Sequence, residues 1–398
     1  MKKILIISKL YPKPDRPNLG IFIKREIDSL SESHFIKVIV PIAWKFHNRI
    51  DINRNNTCNS VEVIYGKYFP LPGAFFLPVK GIWYFIFLLK IVHSIRKNFN
   101  FDIIHAHDVY PEGFCAALLK KIYGKPLIIS SRGKDLNELP QRVLLRPMIK
   151  FALEHADKIV TVSKNLAEKA YKLGIDQGKV SVMPKGVDMD VFTHRSKIEA
   201  RKKLGLPLDK IIVLSVGWII PRKNPLSFTK VLSSYSKVDR DRFLFIWIGE
   251  GTLRADLEKE IFANGLKSTI FLAGKKDPDE IAIWMNAANI FMLVSFAEGM
   301  PNVLYEAMAC GTPVVASNVD GASEVIDNGI NGVLLSPDDY NGMARTILRL
   351  ADDNETRMNL GINARKYIQH NNLSWKNNAR WLNDRYAEVL KSFNIVIR

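Results

Sequence analysis

The chain has 398 residues, 47% hydrophobic and 24% charged, with a net charge of +17. These totals describe a folded protein of about two domains and exclude disordered, fibrous and low-complexity classes. The cysteines Cys58, Cys115 and Cys310 are too few and too scattered for a disulfide framework or a CxxC metal site, and fit a reducing compartment.

The N-terminus, MKKILIISKL, has two lysines and an apolar run that Ser8 and Lys9 cut short. That is too brief for a signal peptide core, so it reads as a first β-strand of a cytosolic protein. Short β-branched runs then alternate with helical patterns: KILIIS, IKVIV, VEVIYG, DIIHA, PLIISS, KIVTVS and VSVMP. A second series follows: IIVLSVG, FLFIWIGEG, TIFLAG, NIFMLVS, TPVVAS and GVLLS. Continuous apolar strands separated by helices predict parallel sheets covered on both faces, and two such series predict two doubly wound α/β domains. The break falls around Met183 to Leu204, where Pro184 and Gly186 interrupt the chain. The expected domains are residues 1–190, completed by a C-terminal helix over 372–398, and residues 195–371.

Charge is unevenly placed. Residues 1–200 hold 32 Lys+Arg against 18 Asp+Glu, and the remainder holds 25 against 22. A basic N-terminal half implies an anionic partner such as phospholipid, nucleic acid or a phosphorylated substrate, although any one lysine is more simply a solvated surface group. Ile82 to Leu89 is an apolar run of eight, flanked by Lys80 and Lys90. It is too short to span a bilayer, and reads either as a buried helix or as one docking on an anionic membrane.

Ligands of open parallel sheets bind beyond the carboxyl ends of the strands, where the unusual residues also fall. Early in the chain, YPKPDRPNLGIF is a loop with Gly20 opening a helix, and glycine permits close backbone approach. FDIIHAHDVYPEG ends a strand with His105, His107 and Asp108. The two rings are expected on opposite faces, which disfavours a shared metal, and His107 is the one read toward the ligand. SSRGKD offers Arg132, Gly133 and Asp135, which suit hydroxyls or phosphate, or pair with each other. In the second half, SVGWIIPRKNP places Gly217 after a strand and Arg222 and Lys223 in the next loop, where paired cations suit a diphosphate leaving group. Finally, SFAEGMPNVLYEAMACGTPVVAS carries Glu298, a turn of Gly299, Met300, Pro301 and Asn302, and Glu306 inside the helix that follows. Unpaired N–H groups at a helix start suit an anion, and ionised carboxylates accept hydrogen bonds from the diols of flanking rings. Two glutamates eight apart are a weak signal alone, and a capping acid followed by a solvated helix residue is the bland alternative.

In order along the chain, these segments resemble the retaining glycosyltransferases of family 4, of the GT-B fold. The resemblance implies two Rossmann-like domains facing a central cleft. The family's Glu-x7-Glu motif is matched by Glu298 and Glu306, and its GGxxE-like sequence by DGASEVI. Its Arg–Lys pair is matched by Arg222 and Lys223, its early glycine loop by Gly20, and its histidine by His107. The implied activity is metal-independent transfer of a sugar from a nucleoside diphosphate to a hydroxyl with retained configuration, by front-face attack assisted by the leaving phosphate. No cofactor is implied, the nucleotide-sugar being a substrate. Glu306 would hold the ribose, Arg222 and Lys223 the diphosphate, Glu298 the sugar, and His107 the donor sugar or reacting centre. Members similar in the first loop build bacterial cell-surface polysaccharides, so the implied acceptor is a glycan or lipid-linked intermediate reached from the inner face of the membrane.

Two positions depart from the family pattern: Lys185 stands where Asn is usual, and Arg132 where His is common. Both bear on sugar or acceptor choice. Asp188-x-Asp190 and Asp277-x-Asp279 have the metal-holding spacing of another transferase fold but read as a linker and a helix start. Three rival readings are a nucleotide-sugar epimerase of the same fold, a dinucleotide-dependent oxidoreductase and a basic polyanion-binding protein. The oxidoreductase is weakened because Arg254 replaces the third glycine after GEG. The polyanion binder is weakened by Glu298 and Glu306, which would face the polyanion.

Overall fold

A computed structural model of the chain describes residues 1–17, 19–43, 54–58, 60–68 and 77–397. Asn18 of the first loop and residues 69–76 ahead of the long apolar helix lie outside the described residues. The chain divides into two compact units, Met1–Gly186 with Trp375–Arg398, and Val187–Ser374.

The first unit is built on β1 (Lys2–Ile7), β2 (His34–Ala43), β3 (Arg54–Cys58), β4 (Val61–Tyr68), β5 (Ile103–His107), β6 (Leu127–Ser131), β7 (Lys158–Thr161) and β8 (Val180–Val182), in the order β3-β4-β2-β1-β5-β6-β7-β8. All neighbours are parallel except β3 and β4. Ile4 to Ile7 of β1 are wholly buried, as a strand covered on both faces requires. The chain runs outward from β1 through β2 and β4, then returns to β5 on the other side of β1. β1 and β5 therefore flank the topological switch point, where such sheets bind ligands.

The second unit repeats the device with β9 (Ile211–Val216), β10 (Phe243–Ile248), β11 (Ile270–Gly274), β12 (Ile290–Leu293), β13 (Val314–Ser317) and β14 (Val333–Leu335), in the order β11-β10-β9-β12-β13-β14. Every pair is parallel. Here β9 and β12 flank the switch point. Every strand expected from an apolar run is present. β3, with the polar sequence RNNTC, was not expected, because an antiparallel edge strand needs no apolar run.

The last helix, Trp375–Ile397, belongs to the first unit and places Leu382 and Tyr386 in its core. Each such burial contributes roughly 1.5–3 kcal/mol. Asn378 fixes the start of this helix by donating to the Pro184 carbonyl at 2.9 Å. The apolar stretch around Ile82 is part of one helix, Leu77–Arg96, with Tyr84, Leu88 and Val92 buried and Ile82, Trp83 and Ile86 exposed. It is thus neither wholly core nor wholly surface. Among the described residues no helix is long and apolar enough to cross a membrane.

Candidate active site

In the second unit, the loop after β9 folds into a tight turn, Pro221–Lys223, ending at Asn224 in the left-handed region (φ 50°). The Asn224 amide holds that turn by donating to the Pro337 carbonyl at 3.1 Å. The loop after β12 docks beside it: the Phe296 N–H donates to the Arg222 carbonyl at 2.9 Å. The result is a cluster. Lys223 Nζ contacts one carboxylate oxygen of Glu298 directly, and Arg222 reaches the other at 3.4 Å and the Ala297 carbonyl at 2.9 Å. Glu298 is buried, Lys223 nearly so, and the Arg222 side chain is half exposed. The sequence reading gave Glu298 and the cations separate tasks, yet the structure joins them in one ion-paired group at the β9/β12 switch point.

The helix Asn302–Ala309 starts just beyond, with Pro301 as its cap and no side-chain cap on its first N–H groups. Met300 is buried and accepts a hydrogen bond from the Tyr305 hydroxyl at its sulfur, at 2.9 Å, which fixes the turn. Gly321 of DGASEVI lets another turn approach closely, for a Cβ there would lie 2.2 Å from the Gly299 carbonyl oxygen. Glu306, half buried, lies a little over one turn inside the helix. Gly217 closes β9, and its carbonyl accepts from Trp247 Nε1 at 2.9 Å. Three buried polar atoms here have no hydrogen-bond partner: Ser295 Oγ, Asn302 Oδ1 and Ser317 Oγ. Ser295 lies two residues past β12 and Ser317 closes β13, and reading by motif overlooked both.

In the first unit, His107 ends β5 and Arg132 follows β6. One Arg132 nitrogen donates to both carboxylate oxygens of Glu26, at 2.8 and 3.0 Å, and to His107 Nδ1 at 2.7 Å. A guanidinium only donates, so Nδ1 accepts and the neutral ring carries its proton on Nε2. That Nε2 is buried without a hydrogen-bond partner, 3.9 Å from Glu26. Burial, then the neighbouring His105 and Arg132, hold His107 well below the ordinary histidine range.

The two histidine rings are stacked with centroids 4.4 Å apart, which corrects the expectation of opposite faces. Residues i and i+2 of a strand share a face. His105 bonds Ser130 Oγ at 2.8 Å and the Tyr386 hydroxyl at 2.7 Å, and burial with the Arg132 charge lowers its pKa to about 3. Among the described residues no cluster of three His, Cys, Asp or Glu could hold a metal ion. Asp188 accepts from the N–H groups of Asp190 and Val191 in a turn, and Asp277 stands at the N-cap position of the helix Pro278–Ala287 without a side-chain cap bond.

Asp135 accepts from the N–H groups of Val109, Arg132 and Gly133 and from the Ser131 hydroxyl, so it braces the loops after β5 and β6. Burial and the nearby Asp108 raise its pKa to about 6. Lys185 is buried with its ammonium 4.6 Å above the Phe22 ring, and Arg132 lies 5.8 Å from the same ring. Gly20 has φ 67°, and a Cβ there would fall 1.2 Å from the Leu10 carbonyl oxygen, so the close approach it permits is to its own chain. Reading by motif missed Glu26, wholly buried on the same face of the helix Ile21–Leu30 as Ile23, Ile27 and Leu30. An acid on an apolar helix face was the available signal. It also missed Lys9 and Glu112, which tie β1 to β5 with contacts of 2.9 Å to Asp108 and 3.0 Å to Glu112. Burial alone would lower the Lys9 ammonium, but Glu112 and Asp108 outweigh it and hold it above the usual lysine range.

The chain is similar to known proteins in sequence and in fold. Residues 196–367 match the family described as glycosyl transferases group 1, and residues 47–191 match glycosyltransferase family 4. A Bacillus subtilis protein named TuaC, assigned by its name to teichuronic acid biosynthesis, is 26% identical over 98% of this chain and 99% of its own. The Escherichia coli UDP-Gal:alpha-D-GlcNAc-diphosphoundecaprenol alpha-1,3-galactosyltransferase is 27% identical over 66% of this chain and 69% of its own. The structure of sucrose-phosphate synthase from Thermosynechococcus elongatus superposes with a TM-score of 0.81 at 20% identity, covering 98% of this chain and all of that one. With both halves matched and the fold shared, the chain belongs to the family 4 glycosyltransferases of the GT-B fold.

Proposed function

We propose that this enzyme transfers a sugar from a nucleoside-diphosphate-sugar to a hydroxyl of a lipid-linked intermediate during assembly of a cell-surface polysaccharide. The observation that carries this is the Lys223–Glu298–Arg222 cluster at the second unit's switch point, beside the uncapped start of the Asn302 helix. Arg222 and Lys223 take the diphosphate and stabilise the charge that develops as it leaves. Glu306 accepts from the ribose diol, and Glu298 orients the cations and accepts from the sugar. Gly217, Gly299, Met300, Pro301 and Asn302 shape the backbone around the donor, and Gly20 shapes the first loop of the acceptor unit. In that unit His107 offers its Nε2–H to a sugar hydroxyl, and Arg132 and Lys185 set the polarity on the acceptor side. Asp135 holds their loops in place.

Transfer proceeds with retention and without a metal, by attack on the face that the leaving phosphate vacates, with that phosphate receiving the acceptor proton. The names of the E. coli and B. subtilis relatives support the choice of donor and of product class. The nucleotide-bearing side of the membrane, the cytoplasmic face, is where the reading puts the reaction.

The test is a thermal-shift panel of UDP, GDP, ADP, CDP and dTDP on the wild type and on Glu306→Ala. A ligand at a hundred times its dissociation constant adds about 2.7 kcal/mol of stability. One nucleotide is expected to raise the melting temperature, and the variant to lose that rise. Absence of a rise with all five would sink the proposal.

A further inference from the structure

Two large aromatic side chains stand in solvent on the two loops that carry the ion-paired group of the second unit. Trp218 is 62% exposed between Gly217 and Arg222, and Phe296 is 49% exposed two residues before Glu298. A single exposed apolar residue is ordinary on a protein surface. These two differ because the backbone on both sides of each is held.

Before Trp218, the Gly217 N–H donates to the Ile248 carbonyl at 2.9 Å, and the Gly217 carbonyl accepts from Trp247 Nε1. After it, the Ile219 N–H donates to the Glu250 carbonyl and the Ile219 carbonyl accepts from the Leu253 N–H, both at 2.9 Å, and the Ile219 side chain is wholly buried. Gly249 and Gly251 allow this close fit. A Cβ on the first would lie 1.9 Å from the Gly217 carbonyl oxygen, and one on the second 2.2 Å from that of Ile219. Trp218 is therefore presented outward by a fixed backbone. Phe296 is held in the same way, by its N–H on the Arg222 carbonyl at 2.9 Å, by the Ala297 carbonyl accepting from Arg222, and by the buried Ser295 before it. Both also adjoin the cations. A Cβ on Gly217 would lie 3.6 Å from Lys223 Cε and 3.9 Å from its Nζ, so the residue before Trp218 abuts that side chain.

Aromatic side chains fixed beside a few charged groups are the lining of a small-molecule site, and a ring fixed beforehand loses little freedom on binding. A flat apolar ring wants a flat apolar partner. Next to a diphosphate there are two, the nucleobase and the C–H face of the sugar. The donor reading puts the base beyond the ribose, on the Glu306 side, and gives Glu298 to the sugar. The exposed rings lie on the Arg222 and Glu298 loops, and so at the sugar end. We infer that Trp218, assisted by Phe296, is a specificity-determining residue that packs on the C–H face of an uncharged hexose in the donor. A hexuronate is disfavoured, because its carboxylate would meet the negative face of the rings. The inference rests on the donor reading and goes further in naming the sugar class.

The test is calorimetric titration of the full chain with UDP, UDP-glucose, UDP-galactose and UDP-glucuronate, and with GDP and GDP-mannose. Trp218→Ala is expected to weaken an uncharged nucleotide-sugar about fivefold to tenfold and to leave the matching nucleoside diphosphate unchanged. Trp218→Phe is expected to restore most of the loss, and Phe296→Ala to show a smaller one. Tryptophan emission should shift with the nucleotide-sugar more than with the nucleoside diphosphate, and Trp218→Phe should lose that difference. If Trp218→Ala fails to fold, Trp218→Gln replaces it. Wild-type affinity of Trp218→Ala for both ligands overturns the inference and leaves the donor reading standing. Equal weakening of both shows that the ring stacks on the base and overturns the sugar assignment. Binding of UDP-glucuronate as tight as that of the uncharged donors overturns the uncharged class. A wild type that binds none of the six overturns the donor reading, and the inference falls with it.

Discussion

The two units place charged groups at the same topological position and treat them oppositely. In the first, Glu26, Arg132 and His107 are buried and pair with one another, leaving His107 Nε2 and Arg132 Nε without a hydrogen-bond partner. In the second, Arg222 keeps half its side chain in solvent and Lys223 and Glu298 sit just below the surface. A buried ion pair is costly to break, because the survivor is left charged in a poor solvent. The Arg222–Glu298 contact, whose arginine is half exposed, costs less to break and leaves that arginine free to exchange its partner for an anion. The difference separates a charge cluster closed off from solvent from one whose arginine solvent reaches.

The sharpest way to break this comparison is to remove the acid from each. Glu26→Ala is expected to destabilise the first unit by about 3–5 kcal/mol, the loss typical of stranding a buried charge. Glu298→Gln strands the nearly buried Lys223 but leaves Arg222 half in solvent, so it is expected to destabilise by less than Glu26→Ala while lowering kcat/KM about 10²–10³-fold. Urea denaturation and steady-state transfer assays measure the two. Equal destabilisation by both substitutions would erase the distinction.

The contrast also decides what could be read from the sequence. The second site is local: Gly217 to Lys223 is one loop, Glu298 to Glu306 a second loop and the helix start it leads into, and each follows an apolar strand whose end is easy to find. The first is assembled from residues 26, 107, 132 and 386, and nothing in the spacing of Glu26 and Arg132 announces that they meet. The fold was legible because thirteen of its strands are apolar runs, whereas β3 is polar and was missed. The histidine pair was misplaced by a wrong assignment of strand faces. The exposed stripe at Ile82 could not be told from a buried one, since periodicity identifies an apolar face without showing what covers it.

Acid should separate the units. His105, with a pKa near 3, and His107, held well below the ordinary value, stay neutral in the fold, while the unfolded chain protonates near 6.5. The stability they contribute is therefore full above about pH 6.5 and is lost as pH falls, at about 1.4 kcal/mol per unit for each. Asp135 acts in the other direction. Its carboxyl, raised to about 6, takes up a proton on the way down to about 3.8 that the unfolded chain does not, offsetting one histidine over that window. His34, lowered by burial, acts with the two histidines, and Glu112, raised by burial, acts with Asp135, so a net loss remains for the first unit as pH falls. In the second unit, His194 and His370 are both exposed. Hydrogen exchange from pH 7 to 5 should show protection falling first in residues 1–186, and a uniform fall across both units would contradict the assignment.

The smallest effect probes the seam between the chain's two ends. Tyr386 comes from the last helix, yet its hydroxyl lies 2.7 Å from His105 Nδ1 in the middle of the first sheet. Tyr386→Phe keeps the ring's packing and removes one hydrogen bond, which is worth about 1 kcal/mol. The loss should appear as exchange in the helix Trp375–Ile397 and in β5 together, because each loses the same partner. It should leave nucleotide binding by the second unit unchanged, since Tyr386 belongs to the first unit's core. If exchange rises in the helix alone, the hydroxyl holds only the helix end and the ring at His105 is fixed by Ser130 and by stacking on His107 instead.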